Sequence, residues 1–437
     1  MGMTKVLRKT ALNAKAVLLA VAVATMFPSS STGQQIRIYD KAIHTLRLSV
    51  GNADAGEALP ILKMGDGDVL SVSFDEQTHV RNRFTYTIEH VDENFNPEQG
   101  LFQSDYVEAS QDEIVIEDCT PSISTSVAYN HYSFSLPNVD LKPLLSGNYK
   151  LSIFKEDDNY EKHLAAKAYF GVCEEIAGVG LTVSGNTDID SNDKHQQLEL
   201  SVGTSALGAI TRPEQEVSVI VLQNGRWDSA VRNPKPTSLA VGQLQWSHSK
   251  ELIFEAGNEY RKFELTSTRY PGMHVEGIKF FDPFYHATLF PDEKKKNYIY
   301  DQDQNGIMRP RADSYNGTDN NTDADYVWVH FSLQSEYMGD GKRVFVNGRW
   351  TYDDFSPKYE LKYDQAKQAY CTALFIKQGY YSYQYLCSSE GSKPTAGVTE
   401  GNFWQTENDY TVLVYFKPLG SRYTRLVGYR EASFRAD

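Results

Sequence analysis

The chain has 437 residues, with 57 acidic against 43 basic side chains, a formal charge of −14 and four cysteines. A surface of that sign disfavours nucleic acid and anionic lipid, and so few cysteines leave stability to packed cores rather than to a disulfide framework. The length exceeds what one core organises, so two or three domains are expected.

Lys5, Arg8, Lys9 and Lys15 precede an apolar run from Ala16 to Phe27, and small residues follow from Ser29 to Gly33. These are the three regions of a secretory signal peptide, read as residues 1–33. The run has twelve residues, short of the roughly 20 that span a hydrocarbon core. No cysteine lies near the cleavage region, so neither a lipid anchor nor direct membrane insertion is expected of the exported product. Cleavage removes four basic residues and leaves 39 against 57 acidic ones, a charge of −18.

From Ile36 to about Glu175, aromatic-rich segments of period two are separated by Gly, Asn, Asp and Pro clusters. Tyr132, Phe134 and Leu136 alternate with Ser133 and Ser135, and Tyr149, Leu151 and Ile153 alternate with Lys150 and Ser152. Each pattern puts large side chains on one strand face and small or charged ones on the other. A second unit starts near Ile176, where Leu198, Leu200 and Val202 alternate and EVSVIVLQNGRW runs into an Asn224-Gly225 turn. Polar DSYNGTDNNTDAD, 313–325, reads as a linker or long loop. Beyond it Val327, Val329, Phe331 and Leu333 alternate, and further strands follow to the C-terminus. The expectation is an all-β chain of three consecutive antiparallel immunoglobulin-like β-sandwich domains, 34–175, 176–312 and 326–437.

Tyr86, Ile88, His90 and Asp92 followed by Phe95, the strand His131 to Asn138, and the turn Ser146-Gly147-Asn148-Tyr149 together resemble the first domain of the plug protein of the type IX secretion system. The segment from Gly401 to Arg430, GNFWQTENDYTVLVYFKPLGSRYTRLVGYR, resembles that family's ending. Two positions depart from the pattern: Phe95 stands where Trp is common, and Thr424 where Asp is usual. The resemblance implies a non-enzymatic periplasmic subunit that closes the pore of the very large outer-membrane β-barrel translocon when no substrate is passing.

No nucleophile elbow, Walker loop, His-Glu-x-x-His or Cys-x-x-Cys pattern occurs, so neither an enzyme nor a resident cofactor is expected. Asp301, Asp303 and Asn305 before Gly306 space their oxygens as the first half of a calcium loop does, but Ala312 stands where the bidentate Glu belongs. A turn flanked by solvated acids is the preferred reading, and the family places a similar Asn-Gly before a strand. Asp282, Tyr285 and His286 in FFDPFYHATLF could form an acid–base group, although such proline-punctuated aromatic runs more often form an edge strand or a binding patch. Cys371 and Cys387 lie eight residues either side of Gly379, so a hairpin turning there would set them within disulfide reach. Cys119 and Cys173 share the first unit, without spacing that argues for a bond. The third unit also resembles the immunoglobulin-like sandwiches of starch- and glycogen-binding modules, with Trp350 after Asn347-Gly348 and with Trp404 as sugar platforms. A carbohydrate-binding protein is therefore the alternative to the plug. The signal-peptide reading predicts that exported protein starts between about Ser29 and Gln35, to be checked by intact mass. A mass that retains Met1 would refute it.

Overall fold

The computed structural model describes residues 36–51, 60–208, 210–313 and 319–436. The expected leader lies outside the described residues, as does 314–318 of the expected linker. Alternation sets the buried faces as it should. Tyr132 and Leu136 are buried with Ser135 exposed, and Tyr149, Leu151 and Ile153 are fully buried. The described chain is all-β, with three helical turns of four residues each, Gln103–Tyr106, Pro213–Glu216 and Asn320–Asp323.

Strands Ile43–Val50, Leu70–Glu76, Asn130–Leu136 and Asp118–Pro121 form a four-stranded sheet. It packs on Phe84–Val91, Gly147–Glu156 and Lys162–Cys173, and Phe74, Phe84 and Tyr132 cluster between the layers with ring centroids 4.8–5.2 Å apart. These last three strands do not close a separate domain. They belong to a ten-stranded sheet that continues through Arg425–Phe434, Asn408–Phe416 and Val217–Gln223. The two halves meet at a parallel pairing of Cys173 with Leu426. The far half is covered by a five-stranded sheet that includes Gly178–Ser184, His195–Gly203 and Gln243–Trp246, and Leu198, Val202, Val221 and Val412 fill the core between them.

The third lobe is a second ten-stranded sheet wrapped around its own core. Its path runs Arg261–Leu265, Gly379–Ser389, Lys342–Asn347, Glu360–Asp364, Ala369–Lys377, Tyr326–Gln334, Phe284–Leu289 and Val275–Phe281. The middle and third lobes therefore interleave along the chain, and the consecutive division of 176–312 from 326–437 needs correction. Strands at 261–310 join the third lobe, whereas 408–434 leave it to pair with Val217–Gln223. The reason is that these apolar strands find their partners far along the chain, so local pattern marks the strands without naming their neighbours.

The hairpin at Gly379 is also corrected. Ala369–Lys377 and Gly379–Ser389 are consecutive but do not pair: Cys371 lies opposite Ser332 and Lys362, and Cys387 opposite Val344. Gly379 is glycine because the backbone of Met308–Pro310 crosses it, and a Cβ there would lie 2.2 Å from the Arg309 carbonyl oxygen. All four cysteines are free, and burial pushes the Cys173 thiol up to about 12.

The same crossing from strand to strand buries Lys377 between the first and third lobes. Its ammonium donates to Asp75 Oδ2 at 2.6 Å and to the Asn321 carbonyl at 2.6 Å, and it sits 4.3 Å from the centre of the Tyr129 ring. Asp75 also accepts from the Tyr326 hydroxyl at 2.7 Å and faces His131 Nδ1 at 2.7 Å. Burial alone would raise the Asp75 carboxyl, but Lys377 and His131 outweigh it and hold it below its ordinary value. The expected linker takes part. Asp325 accepts from the amides of Ser126 and Val127, and Tyr129 donates to the Asn321 and Ala324 carbonyls. His44 caps this junction edge-on to Tyr326 and Phe375, and burial pushes its pKa down to about 4.

Removing one partner of a buried ion pair strands the other, so Lys377→Met should cost about 3–5 kcal/mol in urea unfolding. An unchanged midpoint would refute the lock. His44 binds its proton more weakly in the fold than in the unfolded chain, so its contribution is complete above pH 6.5 and is lost as pH falls toward about 4. Stability should drop between pH 7 and pH 5 by about 1–2 kcal/mol, and His44→Gln should remove part of that drop. Thiol titration of exported protein, unfolded without reductant, should count four free cysteines. A count of two would restore a disulfide.

Candidate functional site

The half calcium loop is used for internal bonding. Asp301 pairs with Lys262 at 2.5 Å. Asp303 accepts from the Tyr260 and Asn305 amides, and burial pushes its carboxyl up to about 7. Asn305 takes a left-handed φ of 48° and donates to Asp409 at 2.6 Å. A carboxyl half-protonated near neutrality and an amide turned to another lobe are poor calcium ligands. Among the described residues, Asp157, Glu161 and His163 bring ligand atoms within 4.8 Å of one another. Asp157 there accepts from the Asn159 and Glu161 amides, which makes the group a stapled exposed turn.

Asp282, Tyr285 and His286 fall on the hairpin Val275–Phe281 with Phe284–Leu289, at the edge of the third sheet. His286 Nδ1 meets His330 Nε2 at 2.9 Å rather than a carboxylate, and burial with His286 nearby lowers the His330 pKa. No acid–base pair is assembled there. The tip instead presents aromatic surface, with Phe280 51% and Phe281 58% exposed. Large apolar residues on water at a sheet edge suit contact with a partner.

Neither tryptophan chosen as a sugar platform lies open. Trp350 is buried against Tyr381 at 5.1 Å, and its indole donates to the Ser382 carbonyl. Trp404 is half-buried beside Phe434, and a Cβ on Gly185 would come within 2.6 Å of its ring.

The first-domain motif residues prove to be architectural. Tyr86 stacks on Phe134 at 4.1 Å and accepts from Asn138, and His90 Nε2 lies 3.0 Å from the Ser146 carbonyl. Gly147 is required beside that imidazole, since its φ is +131° and a Cβ would lie 2.4 Å from His90 Nε2. Asp92 closes the following turn by accepting from the Asn94 and Asn96 amides. That turn points Phe95 at Tyr169 and at Trp227 of the middle lobe, 4.7 and 5.1 Å away.

Phe95 and Trp227 are part of a cavity of about 120 Å³ where the three lobes meet. Leu46, Leu48, Ile61, Phe170, Met308 and Leu413 supply its apolar wall. Two copies of one tetrapeptide, Asn224-Gly225-Arg226-Trp227 and Asn347-Gly348-Arg349-Trp350, also line it, one from the middle lobe and one from the third. Their likeness in sequence was the available signal for this cavity, which residue-by-residue reading passes over. The two arginines are used differently. Arg226 is held by Asp228 in two bonds of 3.1 and 2.7 Å, whereas among the described residues Arg349 has no carboxylate partner, and its buried Nε has no hydrogen-bond partner. The Trp227 Nε1 is likewise buried and unbonded.

Residues 43–174 match the family model described as type 9 secretion system plug protein first domain. A crystal structure of a hypothetical protein from Parabacteroides merdae is 34% identical, with a TM-score of 0.86 over 92% of this chain and 99% of that one. A putative membrane anchored protein from Corynebacterium diphtheriae aligns at 8% identity over 90% of this chain and 96% of its own, with a TM-score of only 0.13, and carries no weight. No curated protein matches. The motif residues at 86–95, 131–138 and 146–149 all fall inside the matched span, and the chain belongs to the type 9 secretion system plug family, which ties it to type IX secretion.

Proposed function

We propose that this chain is a non-enzymatic periplasmic subunit that binds the inner opening of the outer-membrane translocon barrel and seals its pore at rest. The observation that carries this reading is the way the lobes are joined. A ten-stranded sheet runs through two of them, and a buried ion pair fixes the third. A body tied in this way resists bending, which an obstruction in a wide aqueous lumen requires. Edge hairpins and loops at the sandwich ends would supply the contact, and an interface of a few aromatic anchors within polar surroundings can be firm yet release. The negative charge of the exported chain keeps it in solution and attached through its partner rather than through lipid.

Deleting the gene should raise outer-membrane permeability to large hydrophilic compounds, and only in cells that have the translocon barrel. Phe280→Ser with Phe281→Ser should reduce recovery of the barrel by tagged protein while changing stability by less than about 0.5 kcal/mol. Unchanged permeability together with failure to recover the barrel from resting cells would overturn the plug reading.

A further inference from the structure

Most polar groups around the three-lobe cavity are engaged. Asn148 accepts from Tyr415, Asn224 exchanges bonds with Asn408 and Asp409, Asn347 accepts from Gln384, and Tyr260 accepts from Gln384. Asp353 accepts from the Trp227 amide and from Asn347. Its carboxyl is pushed up to about 7, by burial first and by the neighbouring Asp228 second. What remains unpaired in the wall is on the donor side: the Arg349 Nε and the Trp227 Nε1, both buried and unbonded. A buried donor left without an acceptor is costly, and an arginine without a carboxylate more so. Arg47 also lines the cavity and is engaged elsewhere, and the rest of the wall is aliphatic, aromatic or glycine.

We propose that this cavity is a binding site for a small organic anion, a carboxylate on an apolar body of about six to eight non-hydrogen atoms, the size set by cavities that hold one aromatic ring. Its carboxylate accepts from Arg349 and from the Trp227 indole, and its hydrocarbon lies against Leu46, Leu48, Ile61 and Phe170. The site exists only where the three lobes meet, so occupancy draws the first, middle and third lobes together. Two sources carry this chemistry, a short fatty acid and the C-terminal residue of a peptide. Nothing in the site depends on the translocon, so its test is separate from that of the plug.

The test is thermal unfolding of the exported full chain with hexanoate, with N-acetylglycine, and with hexylamine and hexanol as controls of similar size. Both acids should raise the midpoint in a saturable manner below about 10 mM, as expected for ligands of this size. Hexylamine and hexanol should not. Arg349→Gln should weaken the response about tenfold or more, as loss of a charge-assisted bond requires, and Trp227→Phe should weaken it while keeping the ring packed on Phe95. The Trp227 variant preserves the test if the arginine variant fails to fold. With Arg349→Gln weakened, stronger binding of hexanoate assigns the fatty acid, and stronger binding of N-acetylglycine the peptide terminus. No stabilisation by either acid, equal stabilisation by hexylamine, or full response in both variants would overturn the site.

Discussion

A lysine ammonium that is 1% exposed must find its counter-charge inside the protein, and Lys377 finds it 302 residues away at Asp75. Burying the pair costs more hydration than an apolar contact would, and the cost is offset only because every remaining valence is used. His131, Tyr326, the Tyr129 ring and the Asn321 carbonyl complete the shell. These partners come from the first lobe, the third lobe and the short segment before it. The network therefore fixes one docking of the two lobes and disfavours others, since sliding them would leave a charge unpaired. The middle lobe needs no such device, because its inner sheet is the continuation of the first lobe's.

How far the sequence could be read follows from these contacts. Strands with clean alternation, such as those through Tyr132 and Tyr149, lie where period two places them. Among the residues of the plug resemblance, Ser146, Gly147, Tyr149 and Tyr423 close around His90, while Phe95 reaches the middle lobe. The links between lobes were out of reach. Lys377 in the run FIKQGYY carries no local sign of burial, and only a partner three hundred positions earlier makes it a core residue. Gly379 reads as a turn centre for two symmetric cysteines, yet it is glycine to let another strand's backbone pass. The acids at 301 and 303 are spaced like ligands and are spent on Lys262 and on backbone amides. In each case the sequence states a residue's capacity, and a distant segment decides its use.

The cavity arises from the same long-range assembly. Three lobes joined at fixed angles cannot pack without remainder, and the remainder is lined by two copies of Asn-Gly-Arg-Trp with their arginines in different states. Arg226 is neutralised within its own lobe and Arg349 is not. On the two proposed readings, contact with a partner falls to loops and edges and binding of a small molecule to the central cavity, so the two are separate in space.

The central claim is that this rigid body obstructs a pore reversibly. The most direct measurement is single-channel conductance of the purified translocon barrel in a planar bilayer, with the exported chain added at the periplasmic face. The account predicts a stoichiometric block that is relieved when the chain is washed away. Conductance that is unchanged by molar excess of folded chain would contradict it.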